Sequence, residues 1–231
     1  MHKLSVILFF LIIPISIFSG NGNKIYLKPI IGLNLYKTTD NFVKHQTSTE
    51  YKNSPIYKFG FIVGTEIMCR MNNSWTISSG LEYNQQGSKY SEFSTGNDEE
   101  KWLHTDENLD LQYLSIPFIL AYNIGRTHFY IKAGLRLDFL LSAKYKYSIN
   151  HYMLKEGVWM IIPEDVDKEK IDIMNLCNKV GINIPIGVSY EYKKFTIDLM
   201  YGLGLTKINN TTDNNIYNRN IVLKVGYKIN L

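Results

Sequence analysis

From Phe129 the chain alternates between apolar and polar side chains without a break. Phe129, Ile131, Ala133, Leu135, Leu137, Phe139 and Leu141 fall on one face; Tyr130, Lys132, Gly134, Arg136, Asp138 and Ser142 fall on the other, and Leu140 is the single large aliphatic on the polar side. A period of two is a strand. An ordinary strand of about 5–6 residues has no use for so long an apolar face, whereas a strand crossing a bilayer needs about 9–11 residues. A sheet with hydrocarbon on one side and a polar interior on the other satisfies both faces.

Seven further stretches carry the same pattern: Ile25–Tyr36, Ile56–Arg70, Trp75–Ser88, Leu109–Ile124, Asn178–Tyr192, Phe195–Thr206 and Arg219–Leu231, with the strand around Phe129 running Thr127–Tyr147. The connections after the second, fourth and sixth strands are short. Those after the first (Lys37–Pro55), third (Lys89–Asn108), fifth (Ser148–Leu176) and seventh (Lys207–Asn218) are long. Outer-membrane barrels sort their connections in this way, with short periplasmic turns and longer external loops. The expectation is an all-β fold: an eight-stranded antiparallel up-and-down transmembrane β-barrel. An interior of eight strands is only wide enough for side chains. The polar faces place Lys28, Glu66, Arg70, Glu82, Lys132, Arg136, Asp138, Glu191, Asp198, Lys224 and Lys228 in that interior, where they are expected to lock one another as ion pairs. Glycines recur on the same face, as tight coiling requires.

Aromatic residues cluster near strand ends, where amphipathic rings meet the lipid boundary: Tyr57, Trp75, Tyr122, Phe129, Tyr192 and Phe195, together with Tyr36, Tyr145, Tyr147 and Tyr217. At the N-terminus, His2 and Lys3 precede the apolar run Leu4–Phe18 and the small residues Ser19–Gly20–Asn21–Gly22. This is the pattern of a secretory signal, expected to cover residues 1–22 and leave residues 23–231 as the barrel. With a proline inside, the run falls short of the about 20 residues a spanning helix needs.

Net charge is +4 with Lys and Arg scattered, so the basic stripe of a nucleic-acid binder is missing. The two cysteines, Cys69 and Cys177, would lie near opposite ends of the barrel, too far apart for a disulfide, and are expected to be free. No Gly-x-Ser-x-Gly elbow, phosphate loop or His-Glu-x-x-His helix occurs. His104–Asp106–Glu107 is read as solvated loop rather than metal site, and Glu66 and Glu82 as ion-pair members rather than an acid–base couple. No catalytic residue, metal ligand or cofactor is assigned.

The stretch Leu111–Tyr113–Leu114–Ser115–Ile116–Pro117, followed by Tyr130–Ile131–Lys132–Ala133–Gly134, resembles the PorT-like outer-membrane β-barrel family of Bacteroidota. So do Gly187–Tyr192, Tyr201–Leu205 and the terminal Val225–Gly226–Tyr227–Lys228. The chain ends Ile229–Asn230–Leu231, without the terminal aromatic common in such barrels. The resemblance implies residence in the bacterial outer membrane, contact with its lipid and with the barrel assembly machinery during insertion, and protein partners at the external loops. The reading from the residues is a non-enzymatic structural or interaction protein. The alternatives are an accessory component of a secretion or assembly complex, a lipid-modifying barrel enzyme, and a narrow pore.

Overall fold

The computed structural model describes residues 24–42, 54–125, 127–210 and 215–231. The expected signal, the middle of the Lys37–Pro55 connection, Arg126 and the middle of the Lys207–Asn218 connection lie outside them. Thirteen strands make one sheet: β1 (Lys24–Thr38), β2 (Pro55–Ile56), β3 (Lys58–Arg70), β4 (Trp75–Tyr90), β5 (Phe93–Gly96), β6 (Glu100–Asn123), β7 (Phe129–Lys155), β8 (Val158–Ile161), β9 (Asp167–Asp172), β10 (Val180–Tyr192), β11 (Phe195–Gly204), β12 (Asn218–Tyr227) and β13 (Ile229–Asn230). Eight of them form a ring. Passing from β1 through β3, β4, β6, β7, β10, β11 and β12, each strand pairs antiparallel with the next, and β12 pairs with β1. A ring leaves no strand edge, so every ladder group can be satisfied where no water is available.

The apolar faces point out and the polar faces in. Ile31, Leu33, Phe59, Phe61, Leu135, Val188, Leu199 and Leu223 are exposed, while Lys28, Glu66, Lys132 and Asp198 are buried. The turns at one end are short. In the first, the Asn72 Oδ1 accepts the backbone N–H groups of Ser74 and Trp75 at 2.8 Å. In the last, Lys193 takes φ +54° in a two-residue hairpin.

Close coiling of the wall requires glycine at specific points. A Cβ on Gly80 would stand 2.1 Å from the Thr65 carbonyl oxygen, and one on Gly64 2.3 Å from that of Leu81. Gly226 instead makes room for a side chain, since a Cβ there would lie 2.9 Å from the Lys28 stem, which crosses above it.

The ring strands β6 and β7 far outrun the strands expected of them. The stretches Lys89–Asn108 and Ser148–Leu176, expected as loops, instead contain β5, the start of β6, the end of β7, β8 and β9. The β6–β7 ladder continues to Glu100↔Met153. With no hydrocarbon against the outer face of such an arm, no strict alternation of polarity is imposed on it. The change of regime is marked by a bulge. Tyr113 pairs with Leu140 and Gln112 with Ser142, so Leu141 is skipped and the inward parity of β7 shifts by one. Leu140, Ala143 and Tyr145 therefore all point inward, and with Tyr90, Leu109, Leu111, Tyr113, Ile173, Cys177, Ile208 and Ile216 they build an apolar core at the long-loop end.

Gly80→Ala is expected to force the β3–β4 ladder apart and to lower unfolding free energy by about 1–3 kcal/mol. Urea titration of the refolded protein in detergent micelles measures this, and an unchanged midpoint would contradict the close approach.

Candidate functional site

The expected interior residues assemble into three groups. The central one is a run of six alternating charges drawn from six ring strands. Glu82 Oε1 lies 2.7 Å from Lys224 Nζ, which is 2.9 Å from Glu66 Oε1. Glu66 Oε2 lies 2.7 Å from Lys28 Nζ, which is 3.1 Å from Asp198 Oδ2, and Asp198 Oδ1 is 2.8 Å from Lys132 Nζ. The order is anion, cation, anion, cation, anion, cation. Register explains the meeting: Lys28 stands opposite Glu66 on β1 and β3, and Asp198 opposite Lys224 on β11 and β12.

Toward the short turns, Glu191 Oε2 receives Lys228 Nζ at 2.6 Å and Arg70 Nη2 at 2.8 Å, and Arg70 also donates to the Tyr130 hydroxyl at 3.1 Å. Toward the long loops, Arg136 grips Asp138 with Nε at 2.7 Å and Nη2 at 3.1 Å. Asp138 accepts further from Ser115 Oγ at 2.5 Å and Gln86 Nε2 at 3.3 Å, and Asn84 donates to Ser115 Oγ. Isolated buried charges would each cost several kcal/mol, and such groups persist where pairing and hydrogen bonds compensate them. A mixed chain of both signs does this while filling the lumen. At the short-turn end a cavity of about 470 Å³ opens beside Arg70, Tyr130, Glu191 and Lys228, but two farther in are small: one of about 20 Å³ is bordered by Ile62, Glu82, Arg136, Met200 and Lys224, and a second of about 20 Å³ by Tyr113, Asp138 and Asn183. Each of these two has room for about one water.

Tyr57, Trp75, Tyr122, Phe129, Tyr192 and Phe195 are all exposed on the outer face. Five of them ring the short-turn rim, where Trp75 packs on Tyr122 with ring centroids 4.8 Å apart and Phe195 on Tyr227 at 5.2 Å. Tyr36 and Tyr145 do not belong to this set: they are buried, at 3% and 5% exposure. Tyr36 keeps the inward parity of β1 to its end, and Tyr145 is turned inward by the bulge at Leu141. Tyr147 and Tyr217 are half-buried.

The segment His104–Asp106–Glu107 is not solvated loop. It lies in β6, with His104 and Glu107 buried and His104 stacked on Phe93 at 4.3 Å. Among the described residues no group of three His, Cys, Asp or Glu is placed to hold a metal. Cys69 and Cys177 are both free; burial pushes the Cys177 thiol up to about 12, which keeps it protonated and unreactive. The apolar core above the lumen was not anticipated from the sequence. Its one sequence signal is Leu140, the aliphatic out of phase on the polar face.

An all-antiparallel ring with an apolar exterior, a charge-filled interior and asymmetric ends defines a transmembrane β-barrel. The chain belongs to the outer membrane protein beta-barrel domain family, whose sequence profile matches residues 23–210, and it resides in the bacterial outer membrane. No curated protein matches the sequence. Among solved structures it is similar in fold to Neisserial surface protein A (13% identity, 90% of this chain and 100% of that chain covered, TM-score 0.46). It is likewise similar to the attachment invasion locus protein Ail of Yersinia pestis (13% identity, 90% and 99% covered, TM-score 0.40) and to OprG of Pseudomonas aeruginosa (10% identity, 90% and 97% covered, TM-score 0.35).

Lys224→Met leaves Glu66 and Glu82 buried without the cation they share. The expected loss is about 3–5 kcal/mol in urea unfolding, with part of it recovered in Glu82→Gln/Lys224→Met. A near-neutral single variant would contradict the pairing.

Proposed function

We propose that the protein is a non-enzymatic barrel, sealed through its centre, that holds a protein-binding sheet above the outer membrane. The observation that carries this reading is the arm built on β6 and β7. From Asn108↔Lys146 to Glu100↔Met153 the ladder adds eight residues, a projection of roughly 25 Å at about 3.3 Å per residue. On its flank β8 pairs with β7 alone, and Val158, Trp159, Met160 and Ile161 are all exposed. Apolar side chains on an open strand edge in water are a template for a partner. The lumen supports the non-conducting half of the reading: the charge chain fills the membrane-spanning part, and the apolar core of Tyr113, Leu140 and Tyr145 lies above it. The eleven interior residues are structural in this reading, and the exposed rings of Tyr57, Trp75, Tyr122, Phe129, Tyr192 and Phe195 serve as lipid-boundary anchors.

A second reading is an accessory role in a secretion or assembly complex, supported by the PorT-like resemblance of Leu111–Pro117 and Tyr130–Gly134. In that case the partner at β8 is a large envelope component. A photo-crosslinker replacing Trp159 on intact cells is expected to give a discrete protein adduct, and one replacing Lys168 on β9 a weaker one. Equal or absent adducts would overturn the docking role. The purified protein is expected to give no steady conductance in planar bilayers, and a stable ohmic channel would overturn the seal.

A further inference from the structure

The barrel wall contains a slot. β3 and β4 are paired from Arg70↔Thr76 to Ile62↔Asn84, and pairing along that edge of β4 resumes only at β2, with Ile56 opposite Lys89 and Pro55 opposite Tyr90, so the start of β3 from Lys58 to Phe61 is left out of the ladder with β4. Within the gap the Gln85 Oε1 accepts the Phe61 N–H at 3.3 Å, and at its far end, where β2 rejoins β4, Ser88 Oγ donates to the Ile56 carbonyl at 3.2 Å. Lys58 reaches across the slot to Asp110 on β6, whose other oxygen is held by Lys146 at 2.8 Å. A cavity of about 300 Å³ opens here, bordered by Lys58, Lys144, Lys146 and Lys170 as well as Asp110.

Four ammonium groups around one carboxylate leave this concavity strongly positive. Two of the lysines share Asp110; Lys144 and Lys170 make no ion pair among the described residues. Like charges gathered in a concave site repel, and an anion relieves them.

Height in the membrane narrows the choice of anion. On β7 the outward apolar row from Phe129 to Phe139 spans ten residues, about 25 Å once strand tilt is included, which is the height of the apolar band of such barrels. Lys144 and Lys146 follow directly beyond the bulge. On β6 the outward row changes in the same register, with Leu114 opposite Phe139, Gln112 opposite Ser142 and Asp110 opposite Lys144. Lys144 and Lys146 thus stand two and three rows beyond the last apolar pair on the long-loop side, at the level of outer-leaflet headgroups, where clustered lysines bind anionic lipid. Phe59, 73% exposed, borders the same cavity and offers an apolar surface beside the charges.

We propose that the slot between β3 and β4 is a binding site for the phosphate of an outer-leaflet glycolipid, held by Lys58, Lys144, Lys146 and Lys170 with an acyl chain against Phe59. The interior charge chain takes no part in it, so the site stands or falls independently of the protein-docking role of β8.

The test is native mass spectrometry of the full mature chain, released from detergent after incubation with bisphosphorylated lipid A. One bound lipid is expected per chain. Lys144→Gln/Lys146→Gln/Lys170→Gln is expected to weaken binding at least tenfold, and dephosphorylated lipid A to bind the natural chain no better than bisphosphorylated lipid A binds this variant. Lys168→Gln, on β9 outside the cavity, should bind as the natural chain does. Should the triple variant misfold, Lys170→Glu on exposed β9 carries the test, with a severalfold loss expected. Equal binding by the natural chain and the lysine variants would overturn the site. Displacement of the lipid by an equal concentration of inorganic phosphate would overturn the lipid as ligand and assign the slot to free phosphate.

Discussion

The alternating ionic chain from Glu82 through Lys224, Glu66, Lys28 and Asp198 to Lys132 is the constraint on which the barrel depends. Lipid outside forbids an unpaired backbone group, which forces the sheet into a ring. A ring of eight leaves an interior no wider than its side chains. Charges placed there cannot be hydrated, so each must find its opposite across the lumen. Because the partners come from different strands, the ionic chain ties β1, β3, β4, β7, β11 and β12 together across the bore as well as around it. The glycines belong to the same design, since Lys28 lies over Gly226 and a side chain at that point would displace it.

Beyond the membrane the solvent relation reverses, and so does the chemistry of the interior. Inside the bilayer the centre is polar because the outside is apolar. Above it, water surrounds the arm and the centre becomes apolar, around Tyr90, Leu111, Tyr113 and Tyr145. The bulge at Leu141 is where one regime passes to the other. It shifts β7 by one residue, turning aliphatic and aromatic side chains inward and releasing Lys144 and Lys146 to the outer surface. The inward turn of Ala143 and Tyr145 and the outward turn of the two β7 lysines beside the slot both follow from this single skipped residue.

The membrane-spanning part was legible in the sequence because hydrocarbon punishes any error of phase. Parity alone put Lys28, Glu66, Asp198 and Lys224 in the interior. It could not say which cation meets which anion, since that depends on strand register. The aqueous arm was not legible. Segments such as Lys89–Asn108 have no hydrocarbon on their outer face, so their strands need carry no strict alternation and look like loops. Tyr36 and Tyr145 were misplaced for a related reason: proximity to a strand end says nothing about parity, and Tyr145 lies past a bulge whose only trace was Leu140 out of phase. The slot between β3 and β4 arises where pairing along β4 is interrupted between Ile62 and Ile56, a feature with no signature in composition.

The claim that the lumen is one coupled ionic chain is tested most directly by a double-mutant cycle on Lys28 and Asp198, read as unfolding free energy in lipid vesicles. Coupling predicts that Lys28→Met and Asp198→Asn together cost less than the sum of their separate effects, by about 1–3 kcal/mol. Strict additivity would contradict it, showing that the two charges are buried beside each other without holding the barrel together.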